Sequence, residues 1–174
     1  MSNWKIDNTH SGIHFTVRHM VFAKVRGQFG KFTANFALDE ANFAASSVDV
    51  EIDAASISTN DEQRDGHLKS PDFFDVAQFP AAHFKSKTIE GTPESFAVTG
   101  DFTLHGVTRE IVLTCEKTGG GKDPWGNTRA LFTGKSSINR KDFGLSWNQA
   151  LETGGVLVSE KVDLEVEIQA VQSA

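Results

Sequence analysis

Tyrosine is absent from this chain, and cysteine occurs once, at Cys115. A lone cysteine excludes an internal disulfide, so the 174 residues must hold together by burial, and that length suffices for one domain, 1–174, with a real core. Positive charge is scarce: 17 Lys and Arg stand against 23 Asp and Glu, for a net charge of −6. The cations are scattered, which argues against nucleic acid as the main partner. No apolar run approaches the length of a membrane-spanning helix. The opening MSNWKID has no charged segment followed by an apolar one, so no secretion signal is visible. The expectation is a cytoplasmic protein, or a periplasmic one if a leader has been removed.

What the chain does have is phenylalanine, 14 copies, with 3 Trp. Phenylalanine brings large apolar area and no polar handle. An interior lined with it is either densely packed or built to hold something greasy.

The stretch from His10 to Phe36 sets the pattern. Ile13, Phe15 and Val17 alternate with His14, Thr16 and Arg18, the two-residue period of a strand with one dry face. Val25, Gly27 and Phe29 resume it, and then the phase slips by one residue to Phe32, Ala34, Phe36 and Leu38. Gly30 is the candidate for a bulge that absorbs the slip. Two long strands bent at a glycine are how a sheet curls around an interior. In all, the alternation predicts eight strands, at 11–21, 25–38, 46–53, 81–89, 95–104, 107–116, 128–138 and 156–170. His105-Gly106-Val107-Thr108 reads as a tight turn, and the run Gly119-Gly120-Gly121-Lys122-Asp123-Pro124 as a flexible loop. Between Ser58 and Gln78 alternation stops and charge rises. Asn60-Asp61-Glu62-Gln63 is suited to open a short helix that Pro71 ends. Phe73 and Phe74 would let such an insert plug one end of a barrel.

Outward apolar faces would make a membrane barrel, but its aromatic girdles normally include Tyr. A soluble barrel with Phe, Val and Ile inward fits better. Metal chemistry is poorly served: in a strand His10 and His14 lie about 13 Å apart. No phosphate loop, complete calcium loop or Gly-x-Ser-x-Gly elbow occurs. Cys115 reads as an inert buried thiol.

Several motifs, in order, resemble the YceI-like family of lipocalin-like, polyisoprenoid-binding proteins. They are Trp4-Lys5-Ile6-Asp7 with His10-Ser11, Val17-Arg18-His19-Met20, and Val25-Arg26-Gly27-Gln28-Phe29. Ser56-Ile57-Ser58-Thr59, Arg64-Asp65-Gly66-His67-Leu68 and Pro71-Asp72-Phe73-Phe74-Asp75 follow. Phe79-Pro80, Gly106-Val107-Thr108 and Ile138-Asn139-Arg140-Lys141-Asp142-Phe143-Gly144 complete the series. The resemblance implies an all-β, eight-stranded antiparallel lipocalin-like barrel with a short helical insert around residues 60–75. It further implies an apolar tunnel that binds, stores or transports an isoprenoid lipid such as a polyprenyl quinone or its precursor. That lipid is the expected bound molecule, with no other cofactor and no catalysis. A homodimer and transient membrane contact are the expected partners.

The expected tunnel lining is Ile13, Phe15, Val17, Phe29, Phe36, Phe102, Phe132 and Ile138, with Phe73, Phe74, Phe143 and Trp147 near the mouth; the alternative is an ordinary packed core. His19 continues the apolar phase, either as a head-group contact or as a core histidine bonded to backbone. Arg140 would meet an anionic head group or pair with a nearby carboxylate. Arg64, Asp65 and His67 read as an ion pair fastening the insert, or as ligand contacts. Met20, Val21 and Phe22 form an apolar run that is either an interface patch or a lid, and Met20 and Phe22 join the candidate ligand contacts. The rival function is an isomerase- or cyclase-like enzyme using the same pocket, with His19 or Arg140 as general acid.

Overall fold

The alternation at the N-terminus folds as two broken staves rather than two continuous strands. In the computed structural model, which describes residues 2–39, 41–148, 151 and 157–172, the first stave is β1 (Ser2–Ile6) followed by β2 (Gly12–His19). The second is β3 (Ala23–Phe29) followed by β4 (Phe32–Leu38). Then come β5 (Ser47–Asp53), the two-residue β6 (Ile57–Ser58), helix α1 (Glu62–Lys69) and β7 (Ala81–Thr92). The chain ends with β8 (Ser95–Leu104), β9 (Val107–Lys122), β10 (Thr128–Asn139) and β11 (Lys161–Gln172).

The sheet closes on itself. Strand β11 pairs with β1 at 170–172 and with β2 at 163–167, while β1 also pairs with β4. Counting β1–β2 and β3–β4 as one stave each gives a closed antiparallel barrel of eight, with alternate side chains inward. The phase slip is absorbed where expected, but by a strand break rather than a bulge. Phe29 and Phe32 are both buried, with Gly30 and Lys31 exposed between them. The Ser56 carbonyl accepts from the Gly30 N–H and the Ser56 hydroxyl from the Lys31 N–H, each at 3.1 Å.

Other boundaries differ from the sequence pattern. Strand β1 was not among the eight predicted. The glycine run is not a loop: Gly119, Gly120 and Gly121 pair with Leu131, Ala130 and Arg129, after a register shift beside Phe132. Ladder partners for the backbone outweigh the conformational freedom of glycine. The turn lies further on, where the Asp123 carboxylate accepts from the N–H groups of Trp125 and Asn127. The expected eighth strand begins at Val156, outside the described residues, and β11 starts at Lys161. His105 and Gly106, both in the left-handed region, make the predicted tight hairpin.

Inside, large rings lie over small residues. Gly27 is the cross-strand partner of Phe15, and a Cβ there would overlap the Phe15 ring. Outside, the polar face carries ion pairs such as Lys87–Glu110 at 2.8 Å and His83–Asp49 at 2.7 Å.

The insert leaves and re-enters the wall at one point, since Asp53 and Ala81 are ladder partners. Asp61 caps α1 by accepting from the Arg64 N–H at 3.0 Å, and Pro71 follows the C-cap Ser70. Its fastening is not the expected ion pair. Asp65 accepts from the Thr59 N–H and hydroxyl at 2.8 and 2.6 Å. Arg64 donates to the Thr59 hydroxyl and carbonyl at 2.8 and 2.9 Å. Both charged side chains thus satisfy the polar groups of one buried threonine.

Candidate functional site

The interior is not solid. An upper chamber, at the end covered by the insert, holds about 1100 Å³ of non-atom space including its open mouth. A lower chamber holds about 1180 Å³ on the same basis. Phe29, Ile52, Phe102 and Leu164 border both, so the two chambers meet at these four side chains.

The lower chamber is almost wholly apolar. Ile13, Phe36 and Phe132 line it, as expected, beside Val98, Leu113, Val166 and Ile168. A short helical turn at Phe43–Ala45, between β4 and β5, sets Phe43 edge-on to Phe96 at 5.1 Å, and Phe96 meets Phe132 at 5.9 Å. Cys115 also borders this space, and burial pushes its thiol up to about 11, which keeps it protonated and unreactive at neutral pH. Trp4 lies in the same wall. Its buried indole N–H has no hydrogen-bond partner among the described residues.

The upper chamber is apolar below and polar at its rim. Phe15, Val17, Ile138, Phe73, Phe74 and Trp147 line it, with the shared Phe29 and Phe102. Trp147 stands against Phe73 at 5.3 Å, and the His67 ring meets Phe73 edge-on at 5.0 Å and Trp147 at 4.8 Å. His67 Nε2 is held by Asp72 at 2.9 Å. His19 lines the chamber where β2 bridges to Val158. Its imidazole has no hydrogen-bond partner among the described residues.

Arg140 is the most unusual wall residue, 3 % exposed. It stands where β10 gives way to a helical turn, Arg140–Phe143. Its guanidinium donates to the carbonyls of Ser159 at 2.9 Å, Leu145 at 2.6 Å and Val158 at 3.4 Å. Among the described residues no carboxylate pairs with it: Glu160 pairs with Lys141 at 2.8 Å. Burial lowers the Arg140 pKa, opposed by the charge of Glu160, yet a guanidinium stays protonated in proteins. A buried cation compensated mainly by carbonyl dipoles favours an electron-rich group in the chamber beside it.

Three expected contacts fail. Phe143 is 1 % exposed and packs behind the wall on Phe102 at 5.5 Å, away from the mouth. Gly144, at φ 75°, ends the helical turn as its left-handed C-cap. Met20 and Phe22 line neither chamber; they are 49 % and 87 % exposed at the β2–β3 tip. Lining residues on β8 and β11, such as Val98, Leu164 and Val166, were legible as inward positions but not as chamber walls.

An antiparallel eight-stave barrel enclosing apolar space below a part-polar mouth is a barrel of the lipocalin-like class. Within that class the chain belongs to the YceI-like family, whose YceI-like domain matches residues 4–170. It is 40% identical over 164 residues to a UPF0312 protein of Vibrio cholerae, spanning 94% of this chain and 82% of that protein. The crystal structure of Burkholderia cenocepacia BcnA superposes with a TM-score of 0.82 at 24% identity, covering 94% of this chain and 98% of the other. A polyisoprenoid binding domain from Saccharophagus degradans, implicated in plant cell wall breakdown, superposes at 0.71 with 15% identity, covering 98% of each chain.

Proposed function

We propose that the barrel binds and carries a single long-chain isoprenoid lipid of the polyprenyl quinone or quinone-precursor type, head at the mouth and tail below. The observation that carries this is the pair of chambers set end to end, one nearly free of polar groups and one with donors only at its rim. Each buried methylene contributes roughly 0.8 kcal/mol, so an isoprene unit brings about 3–4 kcal/mol before the tail is ordered. A quinone or phenol oxygen needs donors, and Arg140, His19 and His67 stand at the upper end. One chain occupying both chambers passes the Phe29 and Phe102 rings, which places the bend of the tail at their junction. The ligand named for the Saccharophagus domain supports this reading.

The role is carriage, with the lipid leaving unchanged. Organic extraction of the purified protein followed by mass spectrometry is expected to recover a polyprenyl compound. Phe15→Trp and Phe132→Trp, which narrow one chamber each, are expected to lower loading. Unchanged loading in both overturns the tunnel. A recovered lipid that is chemically altered on incubation with the protein would favour the isomerase or cyclase instead.

A further inference from the structure

We propose that the tip of the β2–β3 hairpin docks the barrel on an anionic lipid surface, mouth first; this rests on the carrier reading. Met20, Val21 and Phe22 are 49 %, 48 % and 87 % exposed. They sit in a tight turn with Met20 at φ 54° and Val21 at φ 67°. Hairpin turns of this kind favour Asn, Asp or Gly, and a β-branched residue in the left-handed region is strained. The chain therefore keeps three apolar side chains in water on a backbone that disfavours them. The tip is held in place from behind: the Met20 N–H donates to the Leu157 carbonyl at 2.8 Å, and β2 bridges to Val158. Val17, His19 and Val25 on the same hairpin line the upper chamber, so the tip flanks the mouth.

The outward face behind the tip is cationic. Arg18 and Lys24 are direct cross-strand partners and Arg26 lies opposite Thr16; all three are exposed and none forms an ion pair among the described residues, although Lys24 acts at longer range on the Asp163 carboxylate of the neighbouring β11, which faces Thr16 in the ladder. Like charges placed opposite one another destabilise a bare hairpin. On an anionic leaflet each contributes attraction instead, while the apolar tip enters the headgroup boundary. A second copy fits less well. A two-fold contact would bring both cationic collars together, and three residues fall well short of the area a stable dimer buries.

The test uses the full chain with vesicles of phosphatidylcholine alone and of phosphatidylcholine mixed with phosphatidylglycerol. Flotation is expected with the mixed vesicles only, weakened by salt. Phe22→Ser is expected to reduce it about tenfold, and the charge reversal Lys24→Glu to reduce it severalfold. Equal flotation of wild type and Phe22→Ser, or no flotation at all, overturns the proposal. So does a wild-type dimer in sedimentation that Phe22→Ser dissolves, which would assign the tip to a second copy. Lipid recovered by extraction from the same variants separates the two readings: normal loading without flotation sinks the docking surface alone, and absence of any prenyl lipid sinks the carrier.

Discussion

The two chambers share strands and differ in what those strands give way to. Around the lower one the ladder continues: β9 and β10 run on as a long hairpin, and Arg129 clamps Asp7 at 3.0 Å and Asp123 at 2.8 Å. The wall there is made mostly of paired strand backbone, so it has few polar atoms to offer. Around the upper one the ladder stops. The insert, the turn after β10 and the segment before β11 bring carbonyls, Arg140 and His67 to the rim, and His19 stands there at the end of β2. Polarity in this barrel follows the end of regular pairing, and that places a ligand's head.

The comparison can be broken at either end. The largest effect is expected from Arg140→Ala, which strips three carbonyls of their donor at the upper rim. Urea unfolding should show a loss of about 3–5 kcal/mol and extraction should recover little lipid. Next, Val98→Trp fills the lower chamber, where Val98 is 2 % exposed. Long-tailed quinones should bind at least tenfold more weakly, at an overpacking cost of about 1–3 kcal/mol, while a short-tailed analogue with the same head still binds in titration. Equal loss of both analogues would show that the chambers do not divide head from tail. Smaller still is His19→Phe, which removes a rim donor but keeps a ring. Quinone affinity should fall about tenfold, near 1.4 kcal/mol, with the melting temperature almost unchanged.

The smallest effect lies in the lower clamp. Arg129, with the Asn127 and Trp125 amides, holds the Asp123 carboxyl down to about 2, below its ordinary value. A depressed carboxylate stabilises the fold above the ordinary pKa, and that contribution is lost as pH falls from about 4 toward 2. Thermal melts of wild type and Asp123→Asn should therefore differ at neutral pH and converge in acid. Lipid loading at neutral pH should be the same in both, because the clamp touches neither chamber.

Much of this was legible in the sequence. Alternation marked the inward faces of β2, β5, β8 and β11, and Asp61 with Pro71 bracketed α1. What alternation does not carry is which strand lies beside which. Pairing with both β4 and β11 makes a strand of β1, whose described inward side chains are Trp4 and Ile6. The glycine run looked loose because glycine has no strand preference of its own; its partners Arg129, Ala130 and Leu131 lie just across the next turn and supply the ladder. Arg64 and Asp65, adjacent and opposite in charge, suggested a pair; the buried Thr59 between them and the wall takes both. Phe143, expected near the mouth with Phe73, Phe74 and Trp147, borders neither chamber and packs on Phe102 instead.

Asp53 and Ala81 face each other across the ladder, so the stretch that joins them starts and finishes at one place on the wall. Residues 54–80 are in effect a fitted stopper, stitched to the rim a second time where Ile57 and Ser58 pair with Phe29 and Gln28. Exchanging that stopper for a relative's would alter what is admitted and reshape the upper chamber that Leu68, Phe73 and Phe74 help to line, while the lower chamber keeps its own walls.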